Sequence, residues 1–179
     1  WVNPRPFGAR VSVVSGSGPD DVWMAGFPNF TARSDGRSWT TQCMPGEPFN
    51  PVALWALGPD AAYLTESRGA EAVYRWDGTA WLPMGLASPY FGVDLDVWAS
   101  AADDVWAVGA FNTYHWDGAS WTDLDADLGV EYATAIFGFA ADDVWIVARN
   151  HCTGPVVTHW DGSAWTPVPV TGHDLSLFD

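Results

Sequence analysis

Short apolar stretches alternate with turn-forming clusters along the whole chain. Val11–Ser15, Val52–Leu57, Leu95–Ser100 and Ala135–Phe139 each run into a Gly-Pro-Asp or Ala-Ala-Asp turn, where aspartate can bond its own backbone two residues on. A second apolar stretch follows each turn, as in Val105-Trp106-Ala107-Val108. A third ends on Asp-Gly, a dipeptide that favours a tight hairpin because both residues tolerate positive φ. A fourth, opening on tryptophan, completes the unit. β-Branched and aromatic residues fill these runs, and Gly, Pro and Asp interrupt each one before the ~10–12 residues of a helix. The pattern predicts an all-β chain of four-strand units, strands a to d, with strand a innermost because it is the most continuously apolar.

The unit recurs in register. One segment reads Asp20-Asp21-Val22-Trp23, Asp60-Ala61-Ala62-Tyr63, Asp103-Asp104-Val105-Trp106 and Asp142-Asp143-Val144-Trp145. Another reads Trp76-Asp77-Gly78-Thr79-Ala80-Trp81, Trp116-Asp117-Gly118-Ala119-Ser120-Trp121 and Trp160-Asp161-Gly162-Ser163-Ala164-Trp165, preceded by Ser34-Asp35-Gly36-Arg37-Ser38-Trp39. The spacing of the closing tryptophans lies near the ~40–50 residues of a propeller blade. A strict repeat favours radial stacking over a sandwich or an open meander, with large rings filling the gaps between adjacent twisted sheets.

The expected fold is therefore a β-propeller segment occupying residues 1–179, with blades over 11–42, 52–84, 95–124 and 135–168. Trp1 matches the closing Trp of strand d, so 1–4 reads as the last strand of a preceding blade. Asp174-Leu175-Ser176-Leu177-Phe178 parallels Asp94-Leu95-Asp96-Val97-Trp98, so 174–179 reads as the first strand of a following one. These ends make it four complete four-stranded blades of a larger or truncated propeller, open to assembly with further blades or chains. Ser34, standing where the other blades have Trp, marks the least well packed hairpin.

With Asp-Val-Trp at 21–23, 104–106 and 143–145 and the closing tryptophans in place, the repeat resembles the tryptophan-rich propeller repeats of the tectonin and tachylectin type. It is also similar to kelch blades, without the Gly-Gly pair usual there. The resemblance implies a propeller and a lectin-like, carbohydrate-binding role.

Composition narrows the partners. Nearly half the residues are apolar and 15% are aromatic, with 13 tryptophans, which excludes a disordered segment. No apolar run approaches the ~18–20 residues of a membrane span, so membrane insertion is not expected. Seven arginines, no lysine and 22 acidic residues give a net charge of −15, which repels nucleic-acid phosphates. The charge suits a secreted or cell-surface protein, a cation-binding surface or a basic partner. Cys43 and Cys152 stand in neither a CxxC nor a zinc-ligand spacing.

The sequence offers little for catalysis, and the chain is not expected to be an enzyme. His115 and His159 fill one repeated slot in strand c that holds Arg33 and Arg75 in the other blades, which reads as structural. The paired aspartates recur too, and read as turn formers. One acidic stretch departs from the repeat: Asp123, Asp125 and Asp127, with alternate carboxylates of the kind that gather calcium. No other cofactor is implied. Aromatic residues also recur on the loops joining d to a and b to c, which emerge at one end of the sheets. Phe49, Tyr90, Phe91, Phe111 and Tyr132, beside Asn50 and Asn112, form a candidate ligand site. Rings that cover an apolar C–H face beside amides that take hydroxyls are suited to a glycan. The expected function is a non-catalytic extracellular module binding glycan there. The alternative is a structural or protein-interaction subunit of an extracellular or cell-surface assembly.

Overall fold

The structure, a computed structural model, describes residues 10–44, 50–67, 71–86, 95–110, 112–124, 132–150 and 154–169. Its strands fall into four consecutive groups. Blade 1 holds β1 (Arg10–Gly18), β2 (Asp21–Phe27), β3 (Phe30–Ser34) and β4 (Trp39–Cys43). Blade 2 holds β5 (Pro51–Gly58), β6 (Ala61–Glu66), β7 (Val73–Trp76) and β8 (Trp81–Pro83). In blade 3 they are β9 (Asp96–Ala101), β10 (Asp104–Val108), β11 (Thr113–Trp116) and β12 (Trp121–Asp123). Blade 4 comprises β13 (Tyr132–Ala140), β14 (Asp143–Asn150), β15 (Gly154–Trp160) and β16 (Trp165–Val168). Each group is one antiparallel sheet in sequence order, and no helix occurs among the described residues. The all-β array of four four-stranded blades is the one the repeat predicts, and it is open. The flanking strands expected at 1–4 and 174–179 lie outside the described residues.

Each c–d hairpin turns on a glycine with φ between 80° and 95°, at Gly36, Gly78, Gly118 and Gly162. The preceding aspartate locks the turn: Oδ1 of Asp161 accepts the N–H groups of Ser163 and Ala164 at 2.8 and 2.9 Å. Asp35, Asp77 and Asp117 do the same. The Ser163 hydroxyl and these backbone donors hold the Asp161 carboxyl down at about 2.

Blades meet through alternate residues of strands a and b. Ala62 and Leu64 of β6 face blade 1, packing with Trp23 and Ala25. Tyr63, on the other face of β6, packs with Val97 and Val105 of blade 3. Val144 and Ile146 of β14 face Trp106 and Val108 in the same way. The first strands pack successively, β1 on β5, β5 on β9 and β9 on β13, so strand a is innermost as expected. One hydrogen bond crosses each of these contacts. Ser15 Oγ accepts from Ala56 N at 3.1 Å, Trp55 Nε1 donates to Ala99 O at 2.9 Å, and Asp96 Oδ2 accepts from Ile136 N at 2.9 Å. Burial pushes the Asp96 carboxyl above the ordinary range, against the pull of the Ile136 and Val97 N–H donors.

Gly138 of β13 lies beneath the Trp98 ring, where an added Cβ would come within 2.5 Å of the indole. Gly138→Ala should therefore cost about 1–3 kcal/mol by overpacking. Gly18→Ala, with open space around the new methyl, should stay within about 0.5 kcal/mol of the parent. Urea unfolding of both variants measures the difference.

Candidate functional site

The tryptophan of strand b projects toward the next blade and is held there by its own sheet. Asp21, Asp104 and Asp143 accept the Nε1 donors of Trp23, Trp106 and Trp145 at 3.0, 3.0 and 2.8 Å. The same carboxylate oxygen binds the strand-c partner: Arg33 Nε at 2.7 Å, His115 Nε2 at 2.7 Å and His159 Nε2 at 2.8 Å. That partner also lies against the indole. His115 and His159 sit 4.1 and 4.2 Å from the rings of Trp106 and Trp145, and the Arg33 guanidinium 5.6 Å from that of Trp23. Ser17 and Ser100 complete the clamp on Asp21 and Asp104. Burial opposes ionisation of Asp104, but the hydrogen bonds from His115, Ser100 and Trp106 outweigh it and hold the carboxyl below the ordinary range. The second aspartate of each pair is thus an indole clamp rather than a turn former. Blade 2 has Ala61 and Tyr63 in these places, and the buried Tyr63 hydroxyl finds no partner.

Each clamped ring enters the next blade beside the two tryptophans of its c–d hairpin. Trp23 lies edge-on to Trp76 and Trp81, with centroids at 5.4 and 5.6 Å. Tyr63 packs with Trp116 and Trp121. Trp106 lies 6.1 Å from Trp160 and 5.4 Å from Trp165. At the first two seams the hairpin's closing indole is satisfied, Trp81 Nε1 donating to Thr31 Oγ1 and Trp121 Nε1 to Met84 O, both at 3.0 Å. At the third, Trp165 Nε1 is buried without a partner among the described residues. Here lies a cleft of about 730 Å³, walled by Trp106, Trp160, Trp165, Asp104, His115 and Asp142. Trp98 and Trp116 also carry buried unpartnered Nε1 groups, but neither lines this cleft. The aspartates and aromatic walls offer acceptors and flat apolar faces, and the Trp165 indole offers a donor.

The ligand site expected from the sequence belongs to the d–a and b–c connections, away from this cleft. Phe49, Tyr90, Phe91 and Phe111 are outside the described residues. Asn50 is half-buried and joins the two connections of blade 2, its Nδ2 donating to Ser67 Oγ at 2.7 Å while its carbonyl accepts from Ser67 N. Asn112 donates to Asp123 Oδ2 at 3.3 Å. Tyr132 is not on a loop: it opens β13, opposite Arg149 of β14. Of the acidic stretch, Asp123 ends β12 and is exposed, whereas Asp125 and Asp127 lie outside the described residues. Among the described residues no three potential metal-ligating side chains gather.

No family model matches the sequence, and no curated protein matches it. Several solved propellers share its fold. YCF48 from Cyanidioschyzon merolae is 23% identical with a TM-score of 0.60, the match covering 93% of this chain and 60% of that one. Virginiamycin B lyase from Staphylococcus aureus, solved as an inactive variant with quinupristin, is 12% identical with a TM-score of 0.70, covering 94% and 58%. The fucose-specific lectin from Aleuria aurantia is 16% identical with a TM-score of 0.55, covering 83% and 55%. The chain thus spans little more than half the length of these propellers. At such identities the likeness establishes the β-propeller fold.

Removing the clamp should be costly. Asp104→Ala leaves the Trp106 and His115 groups without their acceptor and should destabilise by about 1–3 kcal/mol at pH 7. The folded-state pKa of Asp104 is lowered, so its contribution is complete above the unfolded value of about 4. It disappears as pH falls through the folded value. Unfolding curves taken downward from neutrality should show parent and variant converging below about pH 4.

Proposed function

We propose that this chain is a non-catalytic binding module that takes a glycan in the cleft between blades 3 and 4. The observation that carries the reading is the Trp165 indole N–H, buried on the cleft wall without an acceptor among the described residues. The equivalent groups of Trp81 and Trp121 are satisfied inside the protein. A buried donor left unpaired costs free energy that an incoming acceptor can recover. Sugar hydroxyls serve as that acceptor and also donate, as the Asp142 carboxylate on the same wall requires. The faces of Trp160 and Trp165 suit the C–H side of a pyranose. Among the propellers of this fold, the Aleuria aurantia protein is by name a fucose-specific lectin. A secreted or cell-surface setting accords with this ligand and with the acidic surface.

The His–Asp contact in the cleft argues for binding rather than catalysis. It recurs as His159–Asp143 and, with arginine, as Arg33–Asp21. A reaction centre would be needed once, whereas this clamp recurs in three of the four blades. The cleft is favoured over the loop end because the amides of Asn50 and Asn112 already have partners within the protein.

A glycan array followed by calorimetry on the best hit tests the reading. Trp165→Phe keeps a ring but removes the donor, and should weaken binding about fivefold, the equivalent of one neutral hydrogen bond. Its melting temperature should fall through lost packing against Trp106 and Trp160, so binding is compared at a temperature where circular dichroism shows the variant folded. Asn112→Ala should leave affinity unchanged. The opposite pair of results would place the ligand at the loop end, and an array without hits would refute the glycan reading.

A further inference from the structure

The cleft between blades 3 and 4 carries a negative charge that no described residue balances. Two aspartates line it. Asp104 is fully engaged within its own blade, where Oδ1 bonds Trp106 Nε1 and His115 Nε2 and Oδ2 accepts from the Ser100 hydroxyl. Asp142 is exposed and has neither a hydrogen bond nor an ion pair among the described residues. Its stem is nevertheless fixed. The Asp142 Cβ sits against Gly162, where an added Cβ would come within 2.7 Å of it. Gly162 stands in the hairpin between Trp160 and Trp165, and all four residues line the cleft. No arginine lines it, the chain has no lysine, and the imidazole on the wall, His115, is bonded to Asp104.

We propose that the sugar taken here carries a free amino group, its ammonium seated between the Asp142 carboxylate and the indole faces of Trp160 and Trp165. The proposal rests on the glycan reading and narrows it to amino sugars. An ammonium over an aromatic face is attracted by the ring quadrupole, most strongly for tryptophan. The carboxylate adds a charge-assisted hydrogen bond, roughly twice as strong as a neutral one. A hydroxyl can also donate to Asp142, but it leaves the charge uncompensated. The hydroxyls of the same sugar remain to accept from Trp165 Nε1, so one ligand meets both demands of the wall. A carboxylated or sulfated sugar would set its anion against Asp142 and Asp104, a juxtaposition that costs affinity. At about 730 Å³ the cleft lies within the ~300–1,000 Å³ of small-ligand sites.

Calorimetry with two matched probes tests this, the β-1,4-linked trisaccharide of glucosamine and the same trisaccharide fully N-acetylated. Acetylation removes the charge and keeps the rings and hydroxyls. The amine form should bind the parent about tenfold more tightly. Asp142→Asn should cut that preference to about twofold or less, and Asp142→Glu should keep most of it. Circular dichroism should show both variants folded, since the side chain is exposed. Asp60→Asn, at the equivalent turn of blade 2, removes the same unit of charge away from the cleft and should leave the preference at about tenfold. Raising salt should shrink the preference of the parent. A preference that survives Asp142→Asn would overturn the proposal. So would one that falls equally with Asp60→Asn, which would show attraction to the acidic surface as a whole. Equal or tighter binding of the N-acetylated probe would overturn it and leave the glycan reading intact, as would array hits confined to neutral or acidic sugars. An array without hits of any kind would defeat the glycan reading, and this proposal with it.

Discussion

At each seam one aromatic ring enters the next blade beside the paired tryptophans of its hairpin, and at two of the three seams a carboxylate orients that ring. Everything else in the array depends on that contact. A single four-stranded blade cannot bury a surface this rich in indole, and only stacking encloses it. Trp23 illustrates the economy of the arrangement. Its N–H is bound by Asp21, one side meets Arg33, and its edge meets Trp76 and Trp81. The polar clamp spares the indole donor an unsatisfied burial, and it also removes rotational freedom before the neighbouring blade arrives. Edge-to-face geometry then adds to the area buried.

Repetition of this contact changes how polar residues should be read. A carboxylate bonded to a histidine in a cleft resembles an acid–base pair, yet Asp104–His115 has a counterpart in blade 4 and an arginine analogue in blade 1. Function is better sought where one copy of the repeat departs from the others. The seam between blades 3 and 4 is such a place, with the same residue types as its neighbours but a closing indole donor that has no acceptor among the described residues. Blade 2 departs differently, giving up the clamp for Ala61 and a buried tyrosine. Burial pushes the Tyr63 phenol above its ordinary range, and the seam it serves remains closed around Val97 and Val105.

The fold was legible because both of its signals are local. Asp-Gly marks each hairpin, and the closing tryptophan recurs in phase, so strand order and blade number follow from chemistry within a few residues of each turn. The clamp was half-legible: Asp and Trp two positions apart, with His or Arg in strand c, appear in three blades. Aspartate near a turn nevertheless invites the reading as a turn former, and only sheet register brings residues 104 and 115 together. Tyr132 precedes the apolar stretch Ala135–Phe139 and so reads as a loop residue, yet backbone pairing with β14 extends β13 to it. The cleft was not legible at all. Trp165 is identical in type and motif to Trp81 and Trp121, and what separates it from them is the acceptor that the preceding blade supplies to those two and that none of the described residues supplies to Trp165.

Coupling across a seam is the most direct measure of the central claim. In a double-mutant cycle, Trp23→Phe and Trp81→Phe are made singly and together, and stability is measured by denaturant unfolding. The same cycle is run for Trp23 with Trp165, which belong to different seams. The account predicts a coupling energy of about 0.5–1.5 kcal/mol for the first pair, as for edge-to-face aromatic contacts. For the second it predicts additivity within about 0.3–0.5 kcal/mol. Additive behaviour of Trp23 and Trp81, or equal coupling in both cycles, would contradict the view that each blade is held by a ring seated beside its neighbour's tryptophans.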